Sequence, residues 1–400
     1  MSLTTTEQAT PEKGKLRLPS LEIHNFRAFD HLRIEALGRV NLITGQNNVG
    51  KTSVLEAVYL FARAGAPRAL FELLRSRDEF AGDSAKERPD ESLPPSSDRD
   101  LASYYPLTIR HLFHGRNDFD DFPEAIRIGP IDDPDETLQM EARLYRVFME
   151  TAGEGSPTQR LEPLSAEDLK NSIDAAPYVS VKMGRRPTAR YSFALLRSIQ
   201  APFLRFSSLA QEKRALLVNA TGLENTLISR LWNNVQLSPL EDDVRTALQI
   251  VASDVERVSI RIDPGTRQGP TPIVKVKASS HPFPLRTMGD GMVRLFGIAL
   301  ALVNSKDGFL LIDELENGLH YSIQPDVWRL IFRVANRLNV QVLATTHSWD
   351  CIEAFQTAAA EAVSEEGTLV RLREKGGKIV ATRFDERQLR IVTRDDIEVR

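Results

Sequence analysis

Eight residues constrain this chain more than any others. Gly45-Gln46-Asn47-Asn48-Val49-Gly50-Lys51-Thr52 satisfies G-x-x-x-x-G-K-[ST] at every fixed position. The glycines of such a loop let backbone N–H groups curl toward phosphate oxygens, and the helix behind the loop aims its positive end at the same point. Lys51 is then placed for the β and γ phosphates and the Thr52 hydroxyl for Mg²⁺. The flanks agree. Residues 40–43 read as a short apolar strand, and over 52–64 the apolar Val54, Leu55, Val58 and Phe61 recur at helical spacing. An ordinary glycine turn needs neither flank. The candidate phosphate-binding set is Gly45, Asn47, Asn48, Val49, Gly50, Lys51, Thr52 and Ser53.

A second motif lies far downstream. Four apolar residues, 309–312, run directly into Asp313 and Glu314. A buried strand ending on adjacent carboxylates costs free energy unless the acids are used. Apolar-then-acid sequences end many strands, so the motif takes its force from the phosphate loop upstream. With that loop, Asp313 falls in the Mg²⁺ shell beside Thr52, and Glu314 polarises the attacking water.

The bulk properties exclude several classes. At 400 residues the chain exceeds most single domains, which implies a large domain with an insertion, or two domains. A net charge of -4 supplies no global field for nucleic acid, so a nucleic-acid contact requires a local patch. Cys351 is the only cysteine, which rules out an intrachain disulfide and fits a cytoplasmic address. The longest apolar run, near 295–303, is far short of the roughly 20 residues of a membrane span. The polar residues 1–20 have no apolar core and read as a floppy tail rather than a signal peptide.

The periodicity predicts a strand over 21–29, solvated segments at 82–100 and 151–159, and a strand at 138–148. It predicts three helices over 210–218, 224–235 and 240–258. The last opens on a Ser238 cap with Pro239 behind it, and Leu231 and Trp232 lie on an apolar face. The α/β pattern returns with a strand at 273–276, an apolar helix at 293–303, the strand 309–312, a helix at 325–338 and a strand at 340–344.

Taken together, GQNNVGKT, LLIDELENGLH and ATTHS resemble the ABC-type ATPase heads of the RecF, SMC and OLD proteins. Within that group the chain resembles the AAA-type ATPases of bacterial anti-phage defence loci, such as the ATPase component of PARIS. The resemblance runs from about residue 21 to the end and is thin between 65 and 202. It implies a signature segment at 286–290, with Thr287 keeping a hydroxyl for the γ phosphate and Gly289 a close-approach N–H. Met288 stands where the family has its first glycine, and Asp290 where it has glutamine. It also implies that His347 is the switch histidine near the γ phosphate, that 317–320 is the D-loop with His320 in place of an acid, and that Arg27 lies near the nucleotide. Gln139 is a candidate for the Q-loop glutamine. The segment 112–116 also resembles one these ATPases carry, read here as a packing turn. Arg185, Arg186 and Arg190 read as a solvated loop with a phosphate contact as the alternative, and Cys351 as core.

The expected fold class is α/β: a P-loop NTPase, ABC-ATPase-like head with a helical insertion. The expected division is a disordered tail at 1–18, the first part of the head at 19–150, a largely helical insertion at 151–270, and the rest of the head at 271–400. ATP and Mg²⁺ are the expected ligands, with Glu314 and His347 as catalytic residues. The expected partners are a second copy of the chain, closing on ATP, and a separate effector, a TOPRIM-like nuclease. Only 53 residues, 348–400, follow His347, and Asp395, Asp396 and Glu398 follow no apolar strand, so no nuclease is expected in the chain. Three functions fit: a sensor and scaffold ATPase of anti-phage defence, a RecF-like DNA-maintenance ATPase, and a nucleotide-gated binding protein with little turnover.

Overall fold

In the computed structural model the phosphate loop leaves the middle of a parallel sheet. The structure describes residues 16–77, 79, 109–116, 124–150, 158–164, 175–192, 214–262, 269–362, 367–385 and 388. The N-terminal elements are β1 (Leu21–Phe26), β2 (Phe29–Ile34), β3 (Val40–Thr44), α1 (Lys51–Ala62) and α2 (Pro67–Ser76). Strands β4 (Ile126–Gly129), β5 (Leu138–Glu150), β6 (Thr158–Pro163), β7 (Ala175–Met183), β8 (Ala189–Ser192) and β9 (Ala215–Val218) follow. Next come α3 (Asn225–Asn233), α4 (Pro239–Gln249), β10 (Val255–Arg261), β11 (Thr271–Val276) and β12 (Phe283–Pro284). The chain continues through α5 (Asp290–Asn304), β13 (Phe309–Ile312), α6 (Gln324–Arg337), β14 (Gln341–Thr345), α7 (Trp349–Glu361), β15 (Gly367–Lys375) and β16 (Lys378–Phe384).

The core sheet has the order β16-β15-β3-β14-β13-β9. All its neighbours pair in parallel except the terminal hairpin of β15 and β16. Its central strands β3, β13 and β14 are covered on both faces and are buried at every residue. Successive residues serve opposite layers: Leu310 and Ile312 join the cluster that includes α5, α6 and α7, while Phe309 and Leu311 join the one around α1. Helix α1 is buried at 11 of its 12 positions. It lies between the core sheet and a second, antiparallel sheet, β2-β1-β4-β5-β7-β8, with β6 paired to β5. A third sheet, β10-β11-β12, shares the other cluster with α3, α4 and α5. This is the α/β fold of a P-loop NTPase in its ABC-ATPase-like form. The phosphate loop joins β3 to α1, and the Asp313–Glu314 pair follows β13, two strands away in the same sheet.

Several sequence expectations need correction. The strand expected over 21–29 is a hairpin: the chain reverses at Arg27-Ala28, with Asn25 and Arg27 at φ 52° and 49°. Of the helix expected over 210–218, the described part contains Ala215–Val218 as strand β9, paired in parallel with β13. Four apolar residues carry no period, and an open sheet edge took them. The helix expected over 240–258 ends at Gln249, and Val255–Arg261 becomes β10, a half-buried strand that pairs antiparallel with β11 through a bulge between Val255 and Arg257. Among its described residues the insertion is therefore not largely helical. Its described part holds β6, β7, β8 and β9 before α3 and α4. The Ser238 cap does form, accepting from the Leu240 N–H at 3.3 Å. Leu231, Trp232 and Cys351 are buried. The expected segments at 82–100 and at Asp395, Asp396 and Glu398 lie outside the described residues.

Candidate functional site

The phosphate loop is shaped by two glycines. Gly45 has φ 146°, and a Cβ there would stand 2.4 Å from the Leu372 carbonyl oxygen; Gly50 has φ 85°, and a Cβ there would meet the Phe29 ring at 2.6 Å. Both positions therefore need a bare backbone. Asn48 adds a left-handed φ of 66°. Gln46, Asn47 and Asn48 are exposed, while Val49 and Ser53 are buried. Lys51 is 9 % exposed, and its Nζ donates to the carbonyls of Gly45 at 2.7 Å and Gln46 at 3.0 Å. Burial lowers its pKa, against the carboxylates of Glu314, Asp313 and Glu316, which raise it.

The acids after β13 meet this loop directly. Thr52 Oγ1 donates to Asp313 Oδ2 at 3.0 Å and stands 3.2 Å from Oδ1, across 261 residues of sequence. Thr345, at the end of β14, donates its hydroxyl to Asp313 Oδ1 at 2.6 Å and accepts the Glu314 N–H at 2.8 Å. The ends of β13 and β14 are thus tied by one side chain. Glu314 has φ 48°, and its Oε2 accepts from Asn317 Nδ2 at 2.6 Å. Its Oε1 lies 3.8 Å from His347 Nδ1. The sequence expectations Thr52, Asp313, Glu314 and His347 are brought together here.

The segment expected to act as the signature lies elsewhere on the surface. Thr287, Gly289 and Asp290 are exposed, Gly289 has φ 104°, and Arg286 Nε pairs with Asp290 Oδ1 at 3.0 Å. A Cβ on Gly289 would meet nothing within 4 Å. Two residues further, a Cβ on Gly291 would stand 2.1 Å from the Gly318 carbonyl oxygen, so the start of α5 packs on the 317–320 turn. His320 is exposed and caps the next helical turn, Tyr321–Ile323, by accepting the Ser322 N–H.

Arg27 is held by acids of the head. It pairs with Glu56 on α1 at 2.6 Å, and its Nη atoms donate to both oxygens of Glu79 at 2.8 and 3.0 Å. Burial raises the Glu56 pKa, opposed by Arg27 and Arg77. The neighbouring Ala28 and Phe29 touch Gly50, so the β1–β2 turn buttresses the phosphate loop. The 112–116 segment packs there as well: Leu112 accepts the Arg27 N–H at 2.8 Å, and Phe113 bridges Phe26. Gln139 lies on β5, where its amide donates to Glu141, a place that gives it no part in this site. Arg185 pairs with Asp135, and Arg190 lies 5.8 Å from the Tyr145 ring centroid.

Two residues that sequence reasoning passed over stand beside the acids. Arg294, 7 % exposed on α5, donates Nη1 to the carbonyls of Asn219 and Ala220, and Nη2 to those of Asp313 and Glu314, all at 2.7–2.9 Å. Glu316 is buried, with its Oε1 on the His347 N–H at 3.0 Å. A lone cation inside an apolar helix, and an acid two residues past Glu314, were the available signals. Among the described residues one further trio, Glu22, His24 and His31, converges within 4.8 Å. Glu22 Oε1 there already meets His31 Nε2 at 2.9 Å and Arg33 Nη1 at 3.3 Å, so the carboxylate is engaged by the side chains around it.

Comparisons with known proteins find several similar chains. Residues 17–112 match a family described as "AAA ATPase domain", and residues 276–350 match one described as "AAA domain, putative AbiEii toxin, Type IV TA system". An "ATP/GTP phosphatase" of Helicobacter pylori is 23 % identical over 359 residues, covering 86 % of this chain and 89 % of that one. The RecF protein of Clostridioides difficile is 40 % identical over 47 residues, only 12 % of this chain and 13 % of its own. The SMC head domain of Thermotoga maritima superposes with a TM-score of 0.40 at 14 % identity, covering 92 % of this chain and 99 % of that one. One of the two family matches spans the phosphate loop and the other the 313–314 acids, so in both segments the chain is similar to AAA-type ATPase domains. Among the described residues no helix is long and apolar enough to cross a membrane.

Proposed function

We propose that the chain binds ATP with Mg²⁺ and hydrolyses it to ADP and phosphate. The observation that carries this is the meeting of the Thr52 hydroxyl with the Asp313 carboxylate, with Glu314 as the next residue. The site residues fit the ligand. Gly45 and Gly50 keep a cradle that side chains would fill, and Thr52 and Asp313 offer the hard oxygen donors that Mg²⁺ takes. Bound there, Mg²⁺ supplies charge neutralisation to the phosphates. Lys51 and the first turn of α1 bind and orient the phosphates. Glu314 accepts the proton of the attacking water, Asn317 steadies its other oxygen, and His347 stands on the far side of Glu314. The exposed Thr287, Gly289 and Asp290 serve a second copy's site, so that two chains close on two nucleotides; a symmetric pair completes both at once. The direct test is steady-state ATP turnover by the full chain with Mg²⁺ and with excess EDTA. Metal-dependent release of phosphate is expected, and its absence in every magnesium condition refutes hydrolysis.

In the cell, the reading favoured here is a sensor and scaffold ATPase of an anti-phage system that controls a separate effector, TOPRIM-like in chemistry. The motif resemblance supports it. Control of that kind requires the effector to bind ATP-bound and other states with different affinity. Co-expression with the neighbouring gene product, followed by pull-down with and without ATP, tests it; identical capture in both states removes the idea of nucleotide control. A RecF-like DNA-maintenance role is the second reading, supported by the local RecF identity.

A further inference from the structure

We propose that Glu316 is a positioning residue for His347: it fixes the imidazole as the Nδ1–H tautomer and leaves Nε2 as the ring's open acceptor. This rests on the reading of the site as a hydrolytic one.

The geometry is asymmetric. Glu316 Oε1 accepts the His347 backbone N–H at 3.0 Å and stands 3.2 Å from His347 Nδ1. One carboxylate oxygen therefore addresses both the main chain and the ring of the same residue. The histidine side chain itself is half exposed, at 52 %, whereas the Glu316 side chain is 8 % exposed. A ring with that much freedom needs something fixed to orient it, and the buried acid is the fixed partner. A carboxylate facing one imidazole nitrogen sets which nitrogen carries the proton.

A second carboxylate competes for the same atom. Glu314 Oε1 lies 3.8 Å from His347 Nδ1. Glu316 is nearer and more deeply buried, so its attraction is screened less by water. With Nδ1–H given to Glu316, Glu314 Oε1 stays free to accept a proton from water, while Glu314 Oε2 is held by Asn317. The two acids of Glu314-Leu315-Glu316 thus divide the work: one takes the proton, and the other keeps the histidine from occupying it.

The burial of Glu316 is otherwise unexplained. Its Oε2 is buried with no hydrogen-bond partner. An unpaired buried acceptor on a charged group costs free energy, on the order of 1–3 kcal/mol or more. Its charge is balanced by Arg294 and Lys51, both of which feel Glu316. A residue that served packing alone would be apolar at this position.

The test reads the tautomer directly. Full-length chain labelled with ¹⁵N-histidine is examined by long-range ¹H–¹⁵N correlation, with His347→Gln identifying the resonance. The wild type should show His347 protonated on Nδ1. Glu316→Ala should shift it toward Nε2–H, and should lower kcat by about tenfold or more while KM for ATP stays within about twofold, as expected for orientation of an acid–base group. Glu316→Gln keeps an acceptor oxygen, so it should keep the Nδ1–H tautomer and recover most of kcat. A wild-type His347 protonated on Nε2 overturns the proposal, and so does an Ala variant that keeps both tautomer and kcat. If the Ala variant fails to fold, the wild-type tautomer alone decides. If the wild type shows no ATP turnover, hydrolysis fails as a reading while the spectrum still judges the contact.

Discussion

Arg294 is one guanidinium holding two loops by their backbones, and its removal should be felt in both stability and turnover. Its four acceptors belong to the turn after β9 and to the two acids after β13. In Arg294→Met, Asn219 O keeps the Gly222 N–H and Glu314 O keeps the Asn317 N–H. Ala220 O keeps only Asn317 Nδ2 at 3.5 Å. The poorly satisfied carbonyls, and the acids left without their cation, should together cost about 3–5 kcal/mol, the usual range for breaking a buried charged contact. At about 2.1 cal/mol/K per residue, unfolding 400 residues has an entropy of about 0.8 kcal/mol/K. A loss of about 4 kcal/mol is then a fall in Tm of about 5 °C, readable by scanning fluorimetry. Turnover should fall further than stability explains. Glu314 sits at φ 48°, a conformation that costs a non-glycine residue about 1–3 kcal/mol and persists only where its surroundings fix it. Loss of the Arg294 contact frees that backbone, so kcat should drop by about tenfold while ATP affinity stays near the wild-type value. Arg294→Lys should not rescue, because one ammonium cannot span four carbonyls. A Met variant that melts within about 1 °C of the wild type and turns over at the wild-type rate refutes the reasoning.

Other substitutions bear on the rest of the site. Lys51→Ala should weaken ATP binding by about tenfold to a hundredfold, from the loss of contacts worth about 1.5–3 kcal/mol to the phosphate charge, measured by titration calorimetry. Mixing Lys51→Ala with Gly289→Arg should restore turnover that neither has alone, since one of the two composite sites in a mixed pair is then intact; no recovery argues against shared sites. Gly291→Ala should lower Tm and turnover together, because the added Cβ would stand 2.1 Å from the Gly318 carbonyl oxygen, and unchanged melting would show that the turn yields freely.

What was legible in the sequence was local. The phosphate loop is contiguous, and its glycines, Lys51 and Thr52 declare their chemistry by spacing alone. Asp313 and Glu314 follow a run of buried residues, and α5 and α6 formed within a few residues of where their periodicity places them. The misreadings have a common physical origin. Ala215–Val218 is too short to show a period, and its strand identity comes from the edge of β13, about 94 residues downstream in register. Val255–Arg261 has its apolar Val255 and Val258 three residues apart across a β-bulge, a spacing that reads as helix and was absorbed into the helix before it. Arg294 and Glu316 were missed for a different reason. A lone arginine in an apolar helix and an acid two residues past Glu314 are signals without a stated partner until the fold brings the carbonyls of residues 219, 220, 313 and 314, and the N–H of residue 347, against them.

The central claim, that Glu314 is the base of an ATP-hydrolysing site, meets its most direct test in single-turnover hydrolysis by Glu314→Gln. The substitution keeps the shape and the Asn317 contact on one oxygen, but removes the carboxylate that accepts the proton. ATP should bind within about threefold of the wild-type affinity while the rate of phosphate formation falls by about 10² or more, the contribution of a positioned base. Hydrolysis at the wild-type rate by the Gln variant, with bound ATP consumed as before, contradicts the account.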